Sequence, residues 1–318
     1  MVFHKNKAKQ VGLFLTAAVL IILMLGCAAE ILSPNYGTDY IRDYQYAYGR
    51  IFDLGRIEKV TDYETIDFHP GDSIVYLEVF ISRNSIYEED IYPEGEFWVD
   101  PDDTTLSPGE SQWTSVRKVD TSDYFYHSTE FWICFERVNA GSQFEIGAFM
   151  IVRRAGGTID TIGYIQNEPY RLKLIKIRQP TSGMVTWNYE WKNVYNLMQR
   201  NISSEVFKNL SITVFNGKND TEGDESNRSD QGGVPLNLIL GLYKTDTLFA
   251  DSGWQLNPEN FWLEHGLLIF PSRRPFDTYE SHWQGVTLDH RVPELYDSNN
   301  NANKVQSSEY YFEIRTPR

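Results

Sequence analysis

Residues 73–82 read Ser73-Ile74-Val75-Tyr76-Leu77-Glu78-Val79-Phe80-Ile81-Ser82. The side chains alternate: Val75, Leu77, Val79 and Ile81 fall on one face, and Tyr76, Glu78 and Phe80 on the other. A period of two belongs to a β-strand, because successive Cβ atoms point to opposite faces of the pleat. The same period recurs downstream in Phe144, Ile146, Ala148, Met150 and Val152. A shorter strand is predicted over Thr158–Ile165. In Tyr170–Arg178 the phase slips, with Leu172 and Leu174 pointing one way and Ile175 and Ile177 the other, so a bulge is expected near Leu174. Clusters of Asn, Gly, Pro and Asp separate these runs. Many short strands between turn signals predict a mainly β chain with an antiparallel β-sandwich over residues 44–180.

Between two of these strands lies an acidic stretch, Glu88 to Glu110, with Pro93, Pro101 and Pro108. Its length and prolines predict a surface excursion, with room for a short strand at Phe97-Trp98-Val99. After Gln179-Pro180 the period changes. Trp187, Trp191, Val194, Tyr195 and Met198 fall at the spacing of one helical face, and Asn201 follows as a stop. An amphipathic helix over 187–199 is therefore expected, inside a second β-rich unit covering 181–318. Strand alternation resumes at Leu210, Ile212 and Val214, then at Gly266–Phe270 and Tyr310–Ile314. Asn216–Gly233 is polar and rich in Gly, Asp and Asn, and reads as a loop.

The amino terminus carries an address. Lys5, Lys7 and Lys9 precede an apolar run from Val11 to Leu25 interrupted only by Thr16, and Gly26-Cys27 follows. A run this short, with positive charge before it, reads as a secretory signal over 1–26 rather than a spanning helix. Met24-Leu25-Gly26-Cys27 resembles the bacterial lipobox, which implies cleavage before a diacylated Cys27. An ordinary signal peptide cut at Ala28-Ala29 is the alternative. Residues 27–43 are then a tether, and acyl chains on Cys27 contribute about 0.8 kcal/mol per buried CH₂ to membrane anchoring. The other cysteine, Cys134, sits in Phe131-Trp132-Ile133-Cys134-Phe135 and is expected to be buried and structural. Asn-x-Ser/Thr sequons begin at Asn201, Asn209, Asn219 and Asn227; in a bacterial lipoprotein they carry no glycan.

The chain of 318 residues has 29 Lys+Arg against 44 Asp+Glu, a formal charge of −15. Loss of Lys5, Lys7 and Lys9 with the signal makes it three units more negative. That balance argues against a nucleic-acid partner, which needs a basic face for phosphates. Hydrophobic residues make up 41%, enough to build a core. No Gly-rich phosphate loop, Gly-x-Ser-x-Gly elbow or His-Glu-x-x-His helix occurs. Ser115-Val116-Arg117-Lys118 has the Ser-x-x-Lys spacing but lacks the companion Ser-Asp-Asn and Lys-Thr-Gly elements. His282 and His290 have no metal-spaced partner. Asp220, Glu222 and Asp224 begin like a calcium loop, yet Glu225 stands where the turn needs Gly and Gln231 where a closing Glu is needed. Asp100, Asp102 and Asp103 form a second oxygen-rich stretch. A structural Ca²⁺ is thus the only cofactor suggested, and no reaction is. Among the tryptophans, Trp98, Trp113 and Trp254 are the candidates for exposed contact with a glycan or partner; Trp132, Trp187 and Trp191 lie in apolar settings.

Five stretches in order resemble a repeated unit of the SprA family, the very large outer-membrane proteins of the type 9 secretion and gliding machinery. They are Lys192-Asn193-Val194-Tyr195-Asn196-Leu197; Asn201-Ile202 with Phe207, Leu210 and Ile212; Gly233-Val234-Pro235-Leu236 leading to Leu240-Gly241-Leu242; Gly266-Leu267-Leu268-Ile269-Phe270-Pro271 with Pro275-Phe276; and Glu294-Leu295-Tyr296-Asp297. Phe52-Asp53-Leu54-Gly55 and Ile57-Glu58-Lys59 are loosely similar to the sandwich before that unit. Lys244–Trp254 departs from the family, keeping only Asp246, Asp251 and Gly253 of an Asp- and Gly-rich loop. The chain also lacks the succession of hairpins of a transmembrane barrel. Together with the lipobox and the missing catalytic signatures, the resemblance leads to the expectation of a non-enzymatic outer-membrane lipoprotein, periplasmic or surface-exposed, whose partners are envelope or secretion-system proteins. It is either a stand-alone protein or the front piece of a longer one. A glycan-binding surface lipoprotein is the competing expectation.

Overall fold

A computed structural model describes residues 36–55, 68–82, 92–101, 114–136, 144–181, 184–197, 201–216, 230–231, 234–243, 256–277, 294–297, 304 and 310–317. The mainly β class is as expected, and strands dominate both halves. The first strand, β1 (Tyr36–Arg42), belongs with the end of the chain and is taken up below.

In the first half, β2 (Ile51–Asp53), β3 (Ser73–Ser82), β4 (Glu94–Trp98), β5 (Thr114–Lys118), β6 (Tyr124–His127), β7 (Trp132–Phe135), β8 (Ile146–Arg153), β9 (Ile159–Ile162) and β10 (Tyr170–Lys176) form two sheets. Six strands run in the order β10-β4-β5-β3-β8-β9, and β10 also pairs with β8. That last pairing closes β3, β5, β4, β10 and β8 into a small barrel. Phe80, Phe97, Val116, Phe149, Leu172 and Leu174 fill its interior. The packing is tight enough to require glycine in the wall: a Cβ on Gly147 would lie 2.5 Å from the Phe97 ring and 2.9 Å from Leu172 Cβ. The outer face of the β3–β8 wall carries Leu77, Val79, Ile81, Ile146, Ala148, Met150 and Val152. It packs on Phe52, Ile133 and Phe135 of the three-stranded sheet β2-β7-β6.

Two sheets thus pack face to face as the alternation predicts, with three differences. Val75 is exposed, because the register shifts between Ile74 and Tyr76 and turns Ile74 inward instead. The described part of the acidic stretch is no excursion: β4 lies between β10 and β5, with Phe97 fully buried. And β4 pairs with β10 in parallel, an exception to the antiparallel rule. The expected bulge in β10 is present, between Leu174 and Lys176. It sends Leu172 and Leu174 into the barrel and Ile175 into the layer outside it.

The second half contributes β11 (Val194–Asn196), β12 (Ser211–Asn216), β13 (Asp230–Gln231), β14 (Val234–Pro235), β15 (Phe261–Trp262), β16 (Leu267–Ile269) and β17 (Tyr310–Pro317), with short helices α1 (Ser204–Lys208), α2 (Leu236–Ile239) and α3 (Glu294–Asp297). Its sheets are β11-β16-β15, β13-β14 and β1-β17-β12. Residues 36–42 are therefore not tether. They pair along their whole length with β17, from Tyr36 opposite Pro317 to Arg42 opposite Tyr311. Ile41 and Tyr46 sit in the second half's core with Tyr195, Ile212, Phe270, Phe276 and Phe312. The two halves are interleaved, and the division at residue 180 does not separate their cores.

The predicted helix over 187–199 is also corrected. Residues Val185–Asn188 make one 3₁₀ turn, and the chain then extends into β11. The residues between the apolar ones explain why. Glu190, Lys192 and Asn193 are as buried as Trp187 and Trp191, whereas one side of an amphipathic helix must face water. From Tyr189 to Tyr195 every residue is buried, so spacing alone misreads the segment. Asn201 does turn the chain, with a left-handed φ of 53°. The helix that exists nearby is α1, capped by the Ser203 hydroxyl accepting from Val206 N–H.

Candidate functional site

The most distinctive chemistry among the described residues lies at the seam where the two halves meet. The sheet β2-β7-β6 is its centre. Alternation along β7 sends Ile133 and Phe135 toward the barrel and Trp132 and Cys134 the other way. There they join Ala47, Ile51, Trp191, Val194 and Leu267. Both faces of β7 are covered, which accounts for its unbroken apolar run. Cys134 is buried in it, as expected. Backbone bonds stitch the seam: Trp191 N–H donates to Ile51 O at 2.9 Å, Asp53 N–H to Tyr189 O at 2.8 Å, and Ala47 N–H to Val194 O at 2.6 Å.

Into this seam the chain places Glu190, with only 6% of its surface exposed. Its Oε1 accepts the Gly49 N–H at 2.5 Å. Burial pushes its carboxyl above the ordinary range, against the opposing pull of Lys192, the Gly49 amide, Lys176 and Lys304. The lysines respond in the other direction. Burial brings Lys192 and Lys176 down to about 8, with Glu190 acting against it, and also lowers Lys304. Desolvation disfavours whichever form is charged, so acid and bases move toward neutrality together. Each ammonium is still satisfied. Lys192 Nζ donates to Trp187 O at 2.6 Å and lies 4.4 Å from the centre of its indole. Lys304 Nζ donates to Tyr46 Oη at 2.9 Å, and Lys176 Nζ to Phe144 O at 2.9 Å.

At the rim, Arg273 lies flat on Trp191, 3.3 Å from the ring centre, and pairs with Asp53 at 2.9 Å. Asp53 Oδ1 also accepts the Trp191 indole N–H at 2.9 Å. On the opposite side, His265 stacks on Phe125 with centroids 4.3 Å apart, and its Nδ1 lies 2.8 Å from Glu136. Trp132 and Trp262, 4.7 Å apart, continue this aromatic layer. The arrangement locks two units together. The polar atoms named here are paired within it.

The stretches that carry the SprA resemblance pack beside this region, in the core of the second half. Asn193 Nδ2 donates to Phe270 O at 2.5 Å, and Phe270 N–H returns to Asn193 O at 3.0 Å. Trp187 Nε1 donates to Tyr296 O at 2.7 Å, and Tyr296 Oη accepts the Phe276 N–H at 2.9 Å. Gly241, at φ +69°, lets the chain pass Pro271, whose Cγ would be 3.0 Å from any Cβ there. These residues have structural duties: they pack the second unit.

The residues singled out for chemistry fare differently. Trp98 is half-buried, with its indole N–H donating to Glu96 at 3.0 Å. Cys27, Trp113, Trp254, Asp220, Glu222 and Asp224 lie outside the described residues, as do Asp102, Asp103, His282 and His290. Asp100 is half-buried. Among the described residues, no three His, Cys, Asp or Glu side chains cluster to hold a metal ion. No described helix is long and apolar enough to cross a membrane. The buried Glu190, Lys176 and Lys304 were not anticipated. The one available signal was a carboxylate set between Tyr189 and Trp191, a costly neighbourhood unless countercharges meet it. Compared with known proteins, the chain matches no family model and no curated protein.

Proposed function

We propose that this is an exported, lipid-anchored protein of the cell envelope that acts in secretion or surface assembly by binding other proteins. The observation that carries the reading is the sequence Met24-Leu25-Gly26-Cys27 after a short apolar run and three lysines. Two acyl chains on Cys27 suffice for stable anchoring, since a single chain holds only reversibly. With β1 beginning at Tyr36, the linker from Cys27 is short, at most roughly 30 Å when extended. The body is therefore held near the bilayer surface, where envelope partners lie. The resemblance to SprA units supplies the class of partner, and the convergence of the matching stretches in one packed region is consistent with it.

Two measurements test this. Metabolic labelling with palmitate is expected to mark the purified protein and not its Cys27→Ser variant, which should leave the membrane fraction. Crosslinking followed by purification from solubilised outer membrane is expected to recover components of a secretion or gliding assembly. Unlabelled protein, with the Cys27→Ser form still membrane-bound, overturns the anchor. Recovery without any such component overturns the role.

A further inference from the structure

The strand β6 and the 3₁₀ turn before it, Thr121–Asp123, run across β3 and leave an open cleft of about 430 Å³. Tyr76, Leu77, Thr121, Tyr124, Phe125 and Tyr126 line it. This volume falls within the range of small-ligand sites, roughly 300–1,000 Å³. Four of the six lining residues are aromatic, and four bear a hydroxyl.

The walls are held in place before any ligand arrives. Tyr76 is 43% exposed, unusual for an aromatic ring on a central strand. It is nonetheless fixed: its hydroxyl donates to Glu78, its ring meets the edge of Phe149 at 6.3 Å, and Lys118 Nζ holds Glu78 at 2.5 Å. Tyr124 donates its hydroxyl to Leu77 O at 3.2 Å, tying β6 to β3. The turn that presents Thr121 is capped by Asp120, which accepts the Ser122 N–H at 2.8 Å. Phe125, opposite Cys134, turns its ring to the seam and stacks there on His265, so the rings left to the cleft are those of Tyr76, Tyr124 and Tyr126. Fixed aromatic rings lower the entropy lost on binding, so an exposed ring held this way is a preorganised contact surface.

We propose that this cleft binds a neutral saccharide. A pyranose has an apolar C–H face that stacks on an aromatic ring and an edge of hydroxyls that exchange hydrogen bonds with Tyr and Thr. Tyr76 and Tyr126 offer ring surface, and Thr121 and Tyr126 offer the hydroxyls, since those of Tyr76 and Tyr124 are already donated to Glu78 and Leu77 O. None of the six lining residues is charged, and the nearby Glu78 and Lys118 neutralise each other. That lining gives no countercharge for a phosphate or uronate, and the net charge of −15 repels polyanions. The site uses residues other than Trp98, Trp113 and Trp254. It stands independently of the secretion role, since a saccharide ligand does not require that any protein partner be found.

The test is isothermal titration of the full-length exported protein with neutral hexaoses built from glucose, mannose, xylose and N-acetylglucosamine, and with polygalacturonate. At least one neutral hexaose is expected to bind with a dissociation constant of about 1 mM or tighter. Tyr76→Ala and Tyr126→Ala should each weaken it about tenfold, equivalent to roughly 1.4 kcal/mol. Thr121→Trp, which fills the cleft from an exposed position without removing a buried contact, should abolish binding while thermal unfolding stays unchanged. Tyr40→Ala, on an exposed tyrosine of the other unit, should have no effect. The proposal is overturned if no neutral hexaose binds, if polygalacturonate binds as well as they do, or if binding survives Thr121→Trp.

Discussion

Inside the barrel, Phe80, Phe97, Val116, Phe149, Leu172 and Leu174 meet over glycines in the wall. At the seam, Glu190, Lys176, Lys192 and Lys304 are buried among Tyr46, Trp187 and Trp191. Both regions lie deep in the protein, and they are stabilised by different means. The barrel depends on shape: dispersion and transfer free energy accrue only if volumes fit. The seam depends on mutual satisfaction, since each buried charge is tolerable only while its partners remain. Apolar packing forgives a small loss in proportion to the atoms removed. A charge cluster does not, which makes the seam a place where the two halves either dock in one register or not at all.

The largest expected effect comes from breaking the seam. Glu190→Ala removes the countercharge that Lys176, Lys192 and Lys304 share and should cost about 3–5 kcal/mol in chemical denaturation. A loss below about 1 kcal/mol would mean that the carboxylate is dispensable and the contrast with the barrel unfounded. In the barrel, Gly147→Ala drives a methyl into Phe97 and Leu172 and should cost about 1–3 kcal/mol by overpacking. Gly156→Ala, where nothing lies within 4 Å, is the matched control and should change stability by less than about 1 kcal/mol, in the stabilising direction.

The smallest effect is also the most diagnostic. Lys176 and Lys192 titrate near 8 in the folded protein against an ordinary 10.5. Between those values the unfolded chain holds more protons, so stability rises with pH across that interval. Above about pH 10 the trend reverses, because burial keeps Tyr46, Tyr195 and Tyr296 protonated when unfolded tyrosines ionise. Glu190 acts at the acid end: its raised pKa contributes stability below 4.5 that is lost as pH rises through the folded value. Denaturation at pH 7 and pH 9.5 should therefore differ by on the order of 1 kcal/mol in favour of the higher pH. Lys176→Met should flatten that slope. A flat or falling profile in the parent protein would show that the lysines are hydrated.

How much of this was legible in the residues follows from the same contrast. The strands around the barrel announce themselves, because a wall with one face on each of two cores still alternates, as Leu77 to Ile81 and Ile146 to Val152 do. Even the slip in β10 shows, since a bulge shifts phase within a few residues. The seam hides. Its apolar and polar residues are buried alike, so Trp187, Trp191, Val194 and Tyr195 imitate a helical stripe while the chain makes one 3₁₀ turn and then extends. Residues 36–42 look like linker because their partner β17 lies at the far end of the sequence. The cleft beneath Tyr76 arises from β3 and β6 crossing, which no local pattern encodes.

That distant pairing has a kinetic corollary. The early strand β1 joins a sheet whose central member, β17, lies far downstream of it, with β12 on the other side. All of the chain between them must be available before Ile41 and Phe312 can enter the same core. Contacts so remote along the chain close slowly. The newly made chain consequently spends longer in an open state and acquires its resistance to proteases abruptly, when these two distant strands meet.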